Sequence, residues 1–355
     1  MSDRPIRAAI LGATGYGAGE LLRLLVAHPL VDVVGASSTS LRAAPIAVAH
    51  PHLAGFYDDL TIEDAIDWAK LRNAKEAVLF SALPHDASPA AIEQALVSAE
   101  KAGVRPRVID LSGALRLRDA TIHARHYPET PFADDLRGGF TYGMPEIDRA
   151  AVRSARHITN PGCLATASIL AVAPLAFACR YSGEIAVDAR TGSSGSGKGL
   201  KDATHHPTRH ADFRAYKPMA HQHEPEILQA LGDANGERIA LSFVPHSLPV
   251  SRGIFVTAHA TLPDEMTTTA LREAYRRYYA ESPFIRLRDD SPTLQDVVGS
   301  NFCDIAVFAR ARQVVAMSTI DNLVKGMAGA AIQNMNLMCG HDERLGLWTP
   351  ALRPV

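Results

Sequence analysis

Apolar residues follow two different rhythms along this chain. Over the first half, short apolar runs alternate with helical patterns. Ile6 to Leu11 is too short for a helix and halts at Gly12, while Leu21, Leu22, Leu24 and Leu25 recur at helical spacing between Gly19 and His28. His28-Pro29 ends that helix, and Val31 to Ala36 is a second strand. A third strand, Ala77 to Leu83, stops at Pro84. A helix follows from Ser88 to Ala102, and Val108 to Leu111 is a fourth strand. Strands alternating with helices predict a parallel, doubly wound sheet of the Rossmann type.

Beyond about residue 160 the texture changes. An apolar helix over Ala165 to Cys179 precedes a strand at Glu184 to Thr191. The segment from Gly192 to Tyr216 is rich in Gly, Ser and His, and its length and composition suit an ordered functional loop. Ile239–Val244, Gly253–Leu262, Asp304–Ala311 and Val314–Ile320 read as strands of a second sheet, with a helix over Thr267 to Ala280. Leu323 to Met338 is predicted helical, with small residues from Gly326 to Ala331 on its first turns. The expected organisation is α/β throughout: a Rossmann domain over 1–158, a second α/β domain over 159–320, and a final helix and tail over 321–355 that returns to the first domain.

Composition narrows the class. A chain of 355 residues suits two domains, and 47% hydrophobic with 21% charged residues suits a soluble globular protein. A formal net charge of −2 provides no field for nucleic acid or an anionic membrane. No apolar run approaches the roughly 20 residues of a membrane span. The leading M-S-D-R-P-I-R lacks a signal-peptide pattern, and the four cysteines (Cys163, Cys179, Cys303, Cys339) lie far apart without a C-x-x-C pair. Reduced thiols in a cytoplasmic protein are the expectation.

Chemistry enters at the first turn. Gly12-Ala13-Thr14-Gly15-Tyr16-Gly17 lies directly between strand one and helix one. Glycines there let the backbone approach a pyrophosphate, whose charge the helix N-terminus favours. An NAD-preferring site tends to place a carboxylate at the end of strand two. Here Ser37-Ser38-Thr39-Ser40 stands instead, with Arg42 nearby and no acid in the run. Hydroxyls and a cation suit a 2′-phosphate, so NADP (NADPH) is the expected cofactor.

A nucleophile and a base are also legible. Asn160-Pro161-Gly162-Cys163 precedes the apolar helix, and a helix N-terminus favours the thiolate. Cys179, Cys303 and Cys339 sit in apolar or strand contexts and read as buried small hydrophobes. His221-Gln222-His223-Glu224-Pro225-Glu226-Ile227 sets two histidines just before a helix, where a capping histidine would be held rigidly for acid–base work, His223 ranking before His221. Metal is not expected: no cysteine lies near these histidines and H-E-x-x-H spacing is absent. Ser112 and Arg116, after the fourth strand, suit a phosphate or carboxylate.

Together these pieces resemble the N-acetyl-γ-glutamyl-phosphate reductase family, within the aspartate-semialdehyde-dehydrogenase-like superfamily. The resemblance runs nearly end to end through G-A-T-G-Y-G, S-A-L-P-H at Ser81 to His85, D-L-S-G-A-L-R-L at Asp110 to Leu117 and Y-G-M-P-E at Tyr142 to Glu146. It continues through N-P-G-C, S-S-G-S-G-K-G at Ser193 to Gly199, H-Q-H-E-P-E-I, G-S-N-F-C-D at Gly299 to Asp304 and I-D-N-L-V-K-G at Ile320 to Gly326.

The resemblance implies NADP-dependent reduction of a small acyl phosphate to an aldehyde, through a thioester on Cys163. It implies phosphate or substrate contacts from Arg116, Ser112, Asn160 and Glu146, and cofactor contacts from Pro84, Ser194, Gly195 and Asn322. It also implies a homodimer or homotetramer built on the second domain's sheet. Two features depart from the family pattern. Leu164-Ala165 stands where an aromatic and a proline are usual, and the segment His205 to Lys217, with Arg209 and Arg214, is unusually basic. The latter resembles relatives that reduce aminoadipyl phosphate on an acidic amino-group carrier protein in lysine biosynthesis, which is the alternative to the arginine-pathway substrate. A nucleotide-sensing Rossmann protein is the non-enzyme alternative, and it would have no use for Cys163. A glyceraldehyde-phosphate type of dehydrogenase lacks support, because its S-C-T-T signature is absent.

Overall fold

The computed structural model describes residues 5–233 and 238–354; the leading Met1 to Arg4 of the signal-peptide reading and the terminal Val355 lie outside the described residues. The chain divides into two units. The first comprises residues up to Met144 with Asp148–Pro161 and Met327–Trp348, and the second comprises Pro145–Ile147, Gly162–Gly326 and the tail from Thr349. The 321–355 segment is therefore shared: its helix lies in the first unit, while residues before Met327 and after Trp348 lie in the second.

In the first unit the strands are β1 (Ile6–Leu11), β2 (Val31–Ser37), β3 (Ala44–Pro45), β4 (Thr61–Glu63), β5 (Glu76–Ser81), β6 (Arg107–Asp110), β7 (Phe140–Tyr142) and β8 (His157–Thr159). They lie in the order β3-β4-β2-β1-β5-β6-β8-β7, parallel except where β3 meets β4. Apolar side chains of β1, β5 and β6 (Ala9, Leu11, Leu79, Val108) pack with Ile92 and Ala99 of the helix Ser88–Lys101. The first helix, Tyr16–Val26, starts three residues earlier than the leucine spacing suggested. Gly17 and Gly19 lie inside it because neighbours approach closely: a Cβ on Gly19 would meet the His50 ring at 2.6 Å.

The second unit holds β9 (Gly183–Thr191), β10 (Arg214–Ala215), β11 (Ile239–Ser247), β12 (Ile254–Thr261), β13 (Ile285–Leu287), β14 (Cys303–Arg310) and β15 (Gln313–Ile320), in the mixed order β10-β11-β9-β12-β15-β14-β13. Ile185, Val187 and Ala189 alternate inward along β9, as a sheet with one covered face requires. The helix Cys163–Phe177 is buried from Leu164 to Ala176, which explains its apolar residues on every side. Ser318 on β15 donates to the Ala167 carbonyl, and Tyr275 and Tyr279 donate to Ala171 and Leu170. The segment expected to be one helix from Leu323 splits into a π-helical turn, Val324–Ala328, and a helix, Gly329–Met338.

Candidate active site

In the first unit, Gly12 adopts φ +79°, and a Cβ there would lie 2.8 Å from the Ala82 carbonyl oxygen. No residue but glycine fits this turn. The Gly12 and Ala13 amides both donate to the Ser37 carbonyl at 2.9 Å, tying the turn to the end of β2. Gly15 precedes the helix in extended conformation, Tyr16 is exposed at its start, and Gly17 lies against Met327, where a Cβ would be 2.6 Å from the sulfur. The Thr14 hydroxyl meets Ser38 Oγ at 3.4 Å and Ser40 Oγ at 3.1 Å, and the two serine oxygens are 3.0 Å apart. Beside this trio opens a cleft of about 460 Å³ lined by Gly12, Ser38, Asp64, Ile66, Trp68 and Gln94. Trp68 and Ile66 offer apolar surface to a planar base, with polar groups at the rim. Sequence reading missed these wall residues, because no motif ties them to Gly12. Pro84 is exposed, and its carbonyl accepts the Ala87 and Ser88 amides that begin the next helix.

The residues expected to bind phosphate already hold hydrogen bonds within the first unit. The Ser112 hydroxyl donates to Asp110 Oδ2 at 2.7 Å and accepts from the Ala114 amide, so its single O–H is already committed. Asp110 is fully buried; burial pushes its carboxyl up, against hydrogen bonds from Ser112 and Ser88 that pull it down. Asn160 is also fully buried, donating to the Met327 carbonyl and accepting from Asn334. Arg116 donates to the carbonyls of Asn160, at 2.8 Å, and Leu111, at 3.0 Å. It thereby fixes the chain three residues before Cys163.

In the second unit, Cys163 is the first residue of its helix, half-buried, after an extended Gly162. A Cβ on Gly326 would lie 2.7 Å from the Cys163 Cβ, so the π-helical turn presses directly on the thiol residue. Glu226 accepts the Gly162 amide at 2.7 Å. This residue belongs to H-Q-H-E-P-E-I, yet sequence reading gave it no role. Glu226 is fully buried, and a buried carboxylate requires a hydrogen-bond partner.

His223 begins the helix His223–Ala230, and its amide donates to His221 Nδ1 at 3.1 Å. The His221 ring, two residues before the start of the helix, thus accepts its first amide. A neutral His221 then carries its proton on Nε2. The two rings stand 4.7 Å apart at 69°. Tyr216, at the end of the Gly/His-rich segment, meets the His221 ring edge-on at 5.7 Å. Burial pushes its phenol up, and negative charge on Cys163 pushes it further, so it remains protonated. Burial likewise raises the thiols of Cys179, Cys303 and Cys339, the last to about 12, which removes them as nucleophiles at neutral pH.

Glu146 and Asn322 also have partners inside the second unit. Glu146 is buried in an ion pair with Lys325, Nζ to Oε1 2.7 Å. Asn322 accepts the Gly253 amide at 2.7 Å and donates to Ser194 Oγ at 2.9 Å, so it is a strut for the turn Ser193–Ser196. Gly195 in that turn is open, with Thr191 Oγ1 3.5 Å from where a Cβ would stand. In the basic segment, Arg209 turns inward to Ser247 and Leu248, and Arg214 pairs with Asp212, while Lys217 is exposed. Among the described residues no three His, Cys, Asp or Glu side chains are grouped to hold a metal, and no helix is long and apolar enough to cross a membrane.

Residues 7–155 match the semialdehyde dehydrogenase NAD-binding domain, and residues 163–322 match the semialdehyde dehydrogenase dimerisation domain. The fold is similar to that of aspartate semialdehyde dehydrogenase II from Vibrio cholerae complexed with ASA (TM-score 0.68, 17% identity, 95% of this chain and 98% of that one). It is similar also to aspartate semialdehyde dehydrogenase with NADP from Candida albicans (TM-score 0.65, 15% identity, 94% and 98%). Fold and matched domains define the semialdehyde dehydrogenase class. In sequence, the chain is 41% identical over 353 residues to the N-acetyl-gamma-glutamyl-phosphate reductase of Symbiobacterium thermophilum, covering 96% of this chain and 97% of the relative. It is 41% identical over 352 residues to that of Methanosarcina barkeri (98% and 100%). A relative from Aeropyrum pernix, 38% identical over 364 residues (99% and 99%), is named provisionally as a LysW-L-2-aminoadipate/LysW-L-glutamate phosphate reductase. The chain belongs to the N-acetyl-γ-glutamyl-phosphate reductase family, oxidoreductases of amino-acid biosynthesis that use a nicotinamide cofactor.

Proposed function

We propose that this protein reduces N-acetyl-γ-glutamyl phosphate to N-acetyl-glutamate 5-semialdehyde in arginine biosynthesis, with NADPH as reductant and Cys163 as nucleophile. One observation carries the reading. Cys163 opens a helix beside Gly326, and the amide before it is held by Glu226, on the helix that His223 begins. His223 takes the thiol proton, the sulfur attacks the acyl carbon, and the carbon–oxygen bond to phosphate breaks. The departing phosphate receives that proton from His223, and Arg116 is assigned to its charge. When bound, the nicotinamide supplies the hydride that brings the Cys163 thioester to the aldehyde level. The Cys163 sulfur then leaves as thiolate and regains a proton from solvent. His221 orients His223 through the backbone amide it accepts.

The hydroxyls of Thr14, Ser38 and Ser40, with Arg42 two residues on, fit a phosphorylated dinucleotide and support NADP. The match of residues 163–322 to a dimerisation domain supports a homodimer or homotetramer, and we assign the enzyme to the cytoplasm. The test runs the reaction backwards, offering N-acetyl-glutamate 5-semialdehyde with NADP+ and phosphate. Turnover is expected, lost in Cys163→Ser while NADP+ still binds; a sensor would keep its function. The Aeropyrum relative favours a second reading, reduction of a carrier-bound aminoadipyl phosphate. The inward turn of Arg209 leaves less of a basic rim to recruit an acidic carrier. An inert free semialdehyde, with a salt-sensitive reaction of the carrier-bound one, would replace our reading by this one.

A further inference from the structure

We infer that Asp64 sets the cofactor discrimination of this enzyme: by engaging Arg42 at the rim of the nucleotide cleft, it weakens the grip on a 2′-phosphate and admits the unphosphorylated dinucleotide as well. The inference deepens the NADP reading above and rests on the same cleft.

The run after β2 contains no acid, but the sheet brings one to it. β4 pairs parallel with β2, Ala36 opposite Ile62 and Ser37 opposite Glu63, and the Ser38 amide donates to the Glu63 carbonyl at 3.1 Å. The residue that follows β4 therefore emerges beside the serine run. That residue is Asp64, which lines the cleft with Gly12, Ser37, Ser38 and Thr39. Its Oδ1 lies 2.9 Å from Arg42 Nε, with the two side chains 67% and 62% exposed. Nothing in the fold requires this pair, since exposed ion pairs add little stability.

The pair matters for what arrives at the rim. A 2′-phosphate brings close to two negative charges at neutral pH, must compete with Asp64 for the guanidinium, and is repelled by the carboxylate. A ribose 2′-hydroxyl instead finds in Asp64 an acceptor of the kind that NAD sites use. The hydroxyls of Thr14, Ser38 and Ser40 donate to or accept from either group. Selectivity is thus the balance of one cation and one anion already in contact.

The experiment measures dissociation constants of the full-length protein for NADP+ and NAD+ by calorimetry at low ionic strength. Asp64→Asn removes the charge and keeps the shape. It is expected to tighten NADP+ about tenfold and to loosen NAD+ a few-fold. Arg42→Ala is expected to loosen NADP+ more than tenfold and leave NAD+ within twofold. An NADP+/NAD+ ratio in Asp64→Asn within twofold of the wild type overturns the inference, as does an Arg42→Ala variant that binds both cofactors normally. A wild type that prefers NAD+ while Asp64→Asn still shifts the ratio overturns the NADP reading alone and upholds the role of Asp64.

Discussion

Replacing Lys325 by Met should destabilise the second unit far more than replacing Lys325 and Glu146 together by apolar residues. The ammonium and carboxylate are 2.7 Å apart, and each side chain is only 2% exposed. The ammonium also lies 5.7 Å from the centre of the Phe284 ring. Removing one member strands a desolvated charge, at a cost of about 3–5 kcal/mol. Removing both leaves an apolar contact of similar volume, expected within about 1.5 kcal/mol of the wild type. For a unit of this size each kcal/mol moves the melting temperature by roughly 2–4 °C, so Lys325→Met should melt roughly 6–20 °C lower. Trp68 and Trp348 both lie in the first unit, so calorimetry, not tryptophan emission, is the appropriate assay. A single variant within about 2 °C of wild type, or a Lys325→Met/Glu146→Leu double variant less stable than either single one, would refute the reasoning.

Three further predictions follow from the geometry. Gly326→Ala places a carbon where the Cys163 Cβ is 2.7 Å away, and should lower kcat at least about a hundredfold while NADP+ binding, followed separately, holds. Glu226→Leu orphans the buried Gly162 amide and should slow turnover about ten- to a hundredfold, whereas Glu226→Gln, which keeps an acceptor oxygen, should recover most of it in the same steady-state assay. His157 accepts the Val108 amide on Nδ1, and burial, with Arg156 and Arg107 nearby, lowers its pKa to about 4. A depressed folded pKa gives stability that is present above about 6.5 and lost as pH falls towards 4. Circular dichroism melts across that window should show the loss in the wild type and a flatter profile in His157→Gln.

The sequence revealed the elements whose patterns are local. β1 has the predicted bounds, because Gly12 ends it by conformation alone. The strands Phe140–Tyr142 and His157–Thr159 went unread: three residues are too few to show a period, and their partners lie far away in the chain. The glycine turn and the helices that begin near Cys163 and His223 were legible because each is marked by a compact motif. Partners were not. Nothing near Asn160 foretells Met327 or Asn334, and nothing near Glu146 foretells Lys325. What a motif does not show is the distant backbone and side chains with which the fold pairs its polar residues. Asp64 shows the converse, a residue in no motif that strand pairing delivers to the cleft.

The order of the chain has a consequence for how the protein is made. The first unit is closed by residues synthesised after almost all of the second. Asn336 bonds His28 at 2.9 Å, Asn334 bonds the Gly143 carbonyl, and Glu343 pairs with Arg149. On the ribosome, the first sheet is made before these partners, and the helix Gly329–Met338 emerges only after residues 162–326 of the second unit have been synthesised. A stop codon anywhere before that helix yields a protein missing a wall of its first unit, not merely a tail.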